Sequence, residues 1–385
     1  MAMMTAGTAF SIDAMLPALP QITADLAPLD PNNTALVIAT FVLGLGLGTF
    51  FAGPFSDAWG RRRVVLGGSI LFAAACGAAL FVQSLEALLI TRVLAGLGAA
   101  APRVCVMAII RDRFEGRQMA RVTSFVMIVF TLVPAIAPVI GLGLLAISGW
   151  RSIFAAFVVF IAIYATWFWL RQPETLTPQR RRPLRWSLLI AALRETLTNP
   201  VTRQAILVQA CAFGMLFGTL SSIQPIFEKT FDAADSFVWW WVPIALLAGL
   251  ASVLNARIVV RLGMLKIVVW TMAAELILSL AAVGLWFATP GLFFWVFLIW
   301  QLSVFSMAGL CIGNLNAIAL QPLGHIAGMA ASVVTSLATV LGALIAAPIG
   351  QAFDGTPLPL MTGVAIAAAL AHLLLRGLST PPGSP

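Results

Sequence analysis

Charge is scarce in this sequence. Asp, Glu, Lys and Arg make up 9% of its 385 residues, where a soluble domain carries about 25%. So little polar surface cannot cover a water-exposed exterior. Histidine is nearly absent: His325 and His372 are the two present, and neither has a partner pattern. Cys76, Cys105, Cys211 and Cys311 all fall in apolar runs without metal-ligand spacing, so they read as buried thiols and no metal site is expected. No Gly-rich loop ending in Lys-Ser/Thr occurs, which argues against nucleotide-driven work. Paired acids or clustered histidines near one membrane face are missing too, so neither an enzyme nor a cofactor is expected. Gly and Pro show no repeat, which excludes fibrous classes. The alternating segments of roughly ten residues that build a membrane β-barrel are also absent.

What fills the chain is apolar residue, 61% of the whole. A bilayer-crossing helix needs roughly 20 such residues. Twelve runs qualify, near 1–19, 34–54, 64–83, 85–110, 122–147, 152–170, 204–227, 238–260, 266–288, 292–318, 330–350 and 359–376. The fold class is therefore an all-α polytopic membrane protein with twelve transmembrane helices. No cleaved signal peptide is expected, because no basic residue precedes the first run.

Basic residues orient these spans. One set of loops holds Arg61, Arg62, Arg63, Arg111, Arg113, Arg117, Arg121, Arg261, Lys266 and Arg376. The long segment 171–203 adds Arg171, Arg180, Arg181, Arg182, Arg185, Arg194 and Arg203, which makes seventeen. The opposite loops hold Arg151 and Lys229 alone. Both termini are thus expected in the cytoplasm. The net charge of +8 is a topology signal, and no nucleic-acid partner is expected. Most tryptophans, Trp239, Trp240 and Trp241 among them, lie near span ends as interfacial anchors.

Segment 171–203 also divides the chain. It reads as a cytoplasmic linker with an amphipathic helix at about 185–197, whose apolar face is Leu188, Leu189, Ala192 and Leu193. On either side lie a six-helix bundle over 1–170 and another over 204–385. The halves share weak internal similarity at a nearly constant displacement. Ser11-Ile12-Asp13 corresponds to Ser222-Ile223-Gln224, Leu89-Ile90-Thr91-Arg92 to Leu298-Ile299-Trp300-Gln301, and Ala137-Pro138 to Ala347-Pro348. Gly60 and Gly263 follow the second span of each half. Two pseudo-symmetric six-helix bundles are the architecture of transporters that rock two halves around a central site.

Asp13, Arg92, Arg103, Arg257 and Glu275 lie inside spans, where a charge costs at least ~2.5–3.5 kcal/mol. Asp13 and Arg92 each sit about seven residues from the outer face, a depth of roughly 10 Å, and can pair. Two readings stand: Asp13 as a proton-carrying carboxylate modulated by Arg92, or a static ion pair that fixes helix packing. The first is favoured because the duplicated positions, Gln224 and Gln301, are neutral. Arg103 lies on the face of Arg92 three turns on, where it either lines a cavity or snorkels to the cytoplasmic end. Arg257 is close enough to a helix end to snorkel. Glu275, in mid-span, has no identifiable partner, and a second proton site there is the minor reading.

These residues bear a resemblance. Gly53-Pro-Phe-Ser-Asp57-Ala-Trp-Gly60-Arg61-Arg-Arg63 resembles the loop signature of the major facilitator superfamily between its second and third helices, with Ala58 where a basic residue is usual. Leu89 to Ala100 resembles the fourth-helix motif centred on Arg92, with Ala95 in place of the usual Gln. Ala137-Pro138-Val139-Ile140-Gly141 resembles the fifth-helix antiporter motif, departing at Ala137 and Leu142. Ser11 to Pro20 is similar to the first-helix signature of drug:proton antiporters of the bicyclomycin/chloramphenicol-resistance type.

The resemblance implies the major facilitator fold and proton-coupled efflux of small organic compounds across a bacterial inner membrane, by alternating access. Helices one, four, seven and ten would line the cavity, which adds Gln224 and Gln301 to Asp13, Arg92 and Arg103. In the loop, Asp57 can face a helix N-terminus of the other half, Arg61 can reach Asp112, and Gly53 and Gly60 permit close approach. Together these would latch the cytoplasmic side. Pro138 and Gly141 would kink helix five and admit a close neighbour. The expected partners are a small-molecule substrate, protons and the lipid bilayer, with the chain a monomer. A proton-coupled importer of a small metabolite on the same fold is the alternative.

Overall fold

A backbone surrounded by lipid must satisfy its own polar groups, so long apolar runs fold as helices. The computed structural model describes residues 1–181 and 183–377; Arg182 of the basic linker and the last residues of 204–385 lie outside the described residues. No strand occurs among the described residues. In chain order the helices are α1 Ala2–Asp13, α2 Leu19–Leu26, α3 Leu36–Trp59, α4 Arg61–Ala79, α5 Leu85–Arg113, α6 Gly116–Ser148, α7 Arg151–Arg171, α8 Trp186–Thr198, α9 Pro200–Lys229, α10 Phe237–Leu262, α11 Met264–Ala288, α12 Phe293–Leu320, α13 Ala327–Gln351 and α14 Leu358–Leu375.

Among the described residues, eleven continuous helical stretches are long and apolar enough to cross a membrane. One of them, Pro290–Gln351, holds two spans in series. Within it α12 and α13 are joined by a 3-10 segment in which Leu323 leaves helical geometry (φ −110°, ψ 27°). Twelve spans result, as the apolar runs require, with α8 as the linker helix.

The first span differs from the expected 1–19. It ends as an α-helix at Asp13, turns through a 3-10 segment at Leu16–Ala18, and continues as α2 to Leu26. Pro17 accounts for the break. It has no N–H to offer the Asp13 carbonyl four residues back, and its ring clashes with that carbonyl. The interruption therefore falls on the acid. Leu26, the end of α2, lies thirteen residues beyond Asp13.

The linker helix is also rotated from its expected face. Leu189, Ala192 and Thr196 are buried, at helical spacing, while Leu188 is 48% exposed.

The chain divides within α8 into two compact units, Met1–Ile190 and Ala191 onward. In the first, α1 packs on α5, α6 and α7, and α5 packs on α3 and α4, with α4 on α7. In the second, α9 packs on α12, α13 and α14, and α12 packs on α10 and α11, with α11 on α14. These are the same pairs six spans later, so the duplication seen in short sequence matches extends to packing. Gly60 (φ +96°) and Gly263 (φ +80°) make the corresponding turn in each unit, in backbone space that other residues avoid. The α3–α5 seam is held close by Gly44 and Gly96. A Cβ at Gly44 would strike the Val93 carbonyl, and one at Gly96 the Phe41 carbonyl.

Candidate functional site

Helix α5 starts at the Ser84 cap, whose Oγ accepts from the Ala87 N–H at 3.2 Å, and carries Arg92 two turns further on. Arg92 is completely buried. Its Nη1 donates to Ser11 Oγ at 3.0 Å, Nη2 to the Ser11 carbonyl at 2.9 Å, and Nε to the Val37 carbonyl at 3.2 Å. The guanidinium lies over the Phe41 ring, 4.3 Å from its centroid, with Phe154 at 5.9 Å. Neutral oxygens and ring faces thus solvate a cation that no carboxylate of the described residues contacts.

The expected Asp13–Arg92 pairing is therefore corrected: no ion pair joins them among the described residues. Helix geometry explains it. Residues two apart lie on opposite sides of a helix, so when α1 turns Ser11 toward Arg92 it turns Asp13 away. Asp13 is 5% exposed, and no described residue donates a hydrogen bond to its carboxylate. The break after it packs on α6, where a Cβ at Gly141 would strike the Ala14 carbonyl. Pro138 and Gly141 share the buried face of α6. The helix-five motif and the acid are thus brought together. Arg103, half-buried on α5, has no carboxylate partner among the described residues.

At the α3–α4 turn, Arg61 is buried and bound by Asp57 one turn before it, by Ser56 Oγ, and by Asp112 at the end of α5 (Nε–Oδ2 3.4 Å). Gly53 lies one turn before Asp57, and its carbonyl accepts from Ser56 Oγ at 2.9 Å. Sequence reasoning missed Glu174, just beyond α7. Its carboxylate accepts from the N–H groups of Arg61 and Arg62 (3.0 and 3.1 Å), capping the positive end of α4, and a Cβ at Gly60 would strike it. Ser11, Phe41 and Phe154 were missed as well. Ser11 lies on a helix buried on most of its surface, and the two aromatics lie on separate helices, so none of the three leaves a local signal.

In the second unit the duplicated positions are also buried. Gln224 on α9 and Gln301 on α12 lie on packed helices, and neither Gln224 Oε1 nor the Gln301 side-chain amide has a partner. The hydroxyls of Ser221 and Ser222 and the Gln209 carbonyl oxygen are equally unsatisfied. Buried polar groups rarely stay unpaired, so this row can accept hydrogen bonds from a guest or from water. Elsewhere in the first unit, stacked Phe51, Phe55 and Trp59 wall an apolar groove of 480 Å³ with Arg63 at its edge. None of the residues expected at the site lines it.

Comparison with known proteins adds four findings. A family model described as Major Facilitator Superfamily matches residues 1–347. A bicyclomycin resistance protein homolog of Haemophilus influenzae is 25% identical over 361 residues, covering 91% of this chain and 88% of the relative. A chloramphenicol resistance protein of Pseudomonas aeruginosa is 33% identical over 187 residues, 48% of this chain and 43% of that one. Among solved structures, the partially occluded inward-open xylose transporter XylE from E. coli superposes with a TM-score of 0.76 at 12% identity, covering 100% of this chain and 98% of that chain, a likeness of fold alone.

Proposed function

Because the chain belongs to the major facilitator superfamily, as a multi-pass membrane transporter and not an enzyme, we propose that it expels small organic compounds, drugs among them, in exchange for protons by alternating access. The membrane is the bacterial inner membrane, with both termini cytoplasmic and the chain a monomer built of bundles 1–170 and 204–385 around the linker 171–203. The observation that carries the reading is Asp13, a buried carboxyl without an ionic partner at the one interrupted point of its span. A proton there neutralises a charge that nothing else compensates, and loss of the proton exposes a site that a substrate can fill. Arg92, Arg103, Gln224 and Gln301 would line the cavity. The relatives' names, bicyclomycin and chloramphenicol resistance, support export of drugs. Gly53, Asp57, Gly60, Arg61 and Asp112 would form the cytoplasmic latch, with Pro138 and Gly141 allowing α6 to follow the movement of α1.

The test is proton flux in inside-out vesicles holding a pH-sensitive dye, challenged with a panel of drugs and metabolites. Drug-evoked proton release in wild type that disappears in Asp13→Asn is the expected result. Release that persists unchanged in Asp13→Asn overturns the assignment. Import of a polar metabolite is the second reading, favoured by the unpaired carbonyl oxygens of Gln209 and Gln224 and the unpaired amide of Gln301. A response to a metabolite and to no drug would establish it instead.

A further inference from the structure

Among the described residues Arg92 is a buried cation without an acid, and the second unit holds its opposite: a buried acid without a cation. Glu275 lies in the middle of α11 and is 2% exposed. The elements packed against α11 are α10, α12, α14 and the turn Pro290–Leu292. Among the described residues, Arg257 and Arg261 on α10 and His372 on α14 form no ion pair with it, and the Cys311 thiol of α12 lies close enough to feel its charge.

Its polar neighbours are two serines and one tryptophan, and their hydrogens can be counted. Trp300 Nε1 donates to Ser279 Oγ at 3.0 Å, and Ser279 Oγ lies 3.4 Å from Glu275 Oε1. Ser303 Oγ lies 3.3 Å from the same Oε1 and 2.7 Å from the Trp300 carbonyl. A hydroxyl has one hydrogen, and the shorter contact places that of Ser303 on the Trp300 carbonyl. The contact between Ser303 and Glu275 then has no hydrogen unless the acid supplies it. With a proton on Oε1 the relay closes: indole N–H to Ser279, Ser279 to Glu275, Glu275 to Ser303, Ser303 to the carbonyl of the same Trp300. Every hydrogen is used once. As a carboxylate, Glu275 would keep the long contact from Ser279 and could gain the Ser303 hydrogen only by taking it from the Trp300 carbonyl, in a site where no described cation balances the charge and a bare charge is poorly tolerated.

We propose that Glu275 is a second proton-binding site in the transport cycle, in the C-terminal unit and separate from Asp13. Binding adds one proton from water to Oε1 and changes no other covalent bond. Release frees Ser303 Oγ to turn its hydrogen from the Trp300 carbonyl to the carboxylate. Trp300 precedes Gln301, so the relay sits one residue from the polar row of the second unit. The inference rests on the proton-coupled reading for its role in transport, and on geometry alone for the presence of the proton.

The full chain in lipid nanodiscs, stepped in pH, is read by infrared difference spectroscopy in the carboxylic-acid carbonyl region. A band present in wild type and Asp13→Asn, missing in Glu275→Gln, and displaced in Ser303→Ala is the expected result. The last variant keeps the acid, so a misfolded Glu275→Gln cannot imitate the outcome. In the vesicle assay, with the drug that gives the largest wild-type response, Glu275→Gln should release fewer protons per drug molecule than wild type. An acid band unaltered in Glu275→Gln removes the site, and an unchanged proton-to-drug ratio removes its role in coupling. Should no drug evoke proton release from wild type, the efflux reading fails, and the infrared result still decides the site by itself.

Discussion

Arg92 and Asp13 show how a single residue's rotation governs chemistry. Three of the guanidinium N–H groups are taken by Ser11 and Val37, with Phe41 beneath. A lysine keeps the charge but cannot form the fork. Arg92→Lys should therefore lower stability by about 1.5–3 kcal/mol, the worth of one charged hydrogen bond, read as a lower thermal midpoint of the purified protein. Arg92 was legible as an unusual residue because charge inside a span is expensive. Its partner was misread because equal depth on two helices does not say which way each side chain faces. Gln224 and Gln301 were legible in a different way, through the duplication, and both are buried, as Asp13 and Arg92 are.

At the scale of elements, small residues and breaks decide the packing. Gly141 gives the break after Asp13 room against α6, so Gly141→Ala should overpack the contact and destabilise by about 1–3 kcal/mol, with drug-evoked proton release reduced beyond the loss of folded protein. Proton release falling only in step with folded yield would reduce Gly141 to a packing residue. The cap on α4 makes a separate case. Glu174→Ala removes the acceptor for the Arg61 and Arg62 amides and should cost about 0.5–2 kcal/mol, measured by thermal unfolding in detergent. The exposed contact between His325 Nε2 and Glu195 Oε1, 2.8 Å, ties α8 to the turn between α12 and α13; exposed pairs of this kind contribute little. Helix existence and the turns at Gly60 and Gly263 were readable locally. The cap was not, since Glu174 lies more than a hundred residues along the chain from the amides it meets.

For the whole molecule, the basic loops predict orientation. A phosphatase that folds only outside the cytoplasm should be inactive when fused after Arg376 and active in the loop after Lys229. Activity after Arg376 would reverse the assigned sides. The described residues between α7 and α8 form no α-helix, so protease added to inside-out vesicles should cut there and leave two membrane-embedded fragments. The sequence by itself determined the membrane class, the spans and the two-fold repeat, because hydrophobic length and duplication are written locally along the chain. Only the tertiary structure decided that Arg92 meets Ser11, that Asp13 has no ionic partner among the described residues, and that Glu275 lies beside Ser303 and the Ser279 to which Trp300 donates. Helices that are apolar on all sides have no polar stripe to announce their rotation, and rotation is what chooses between neighbours one or two residues apart.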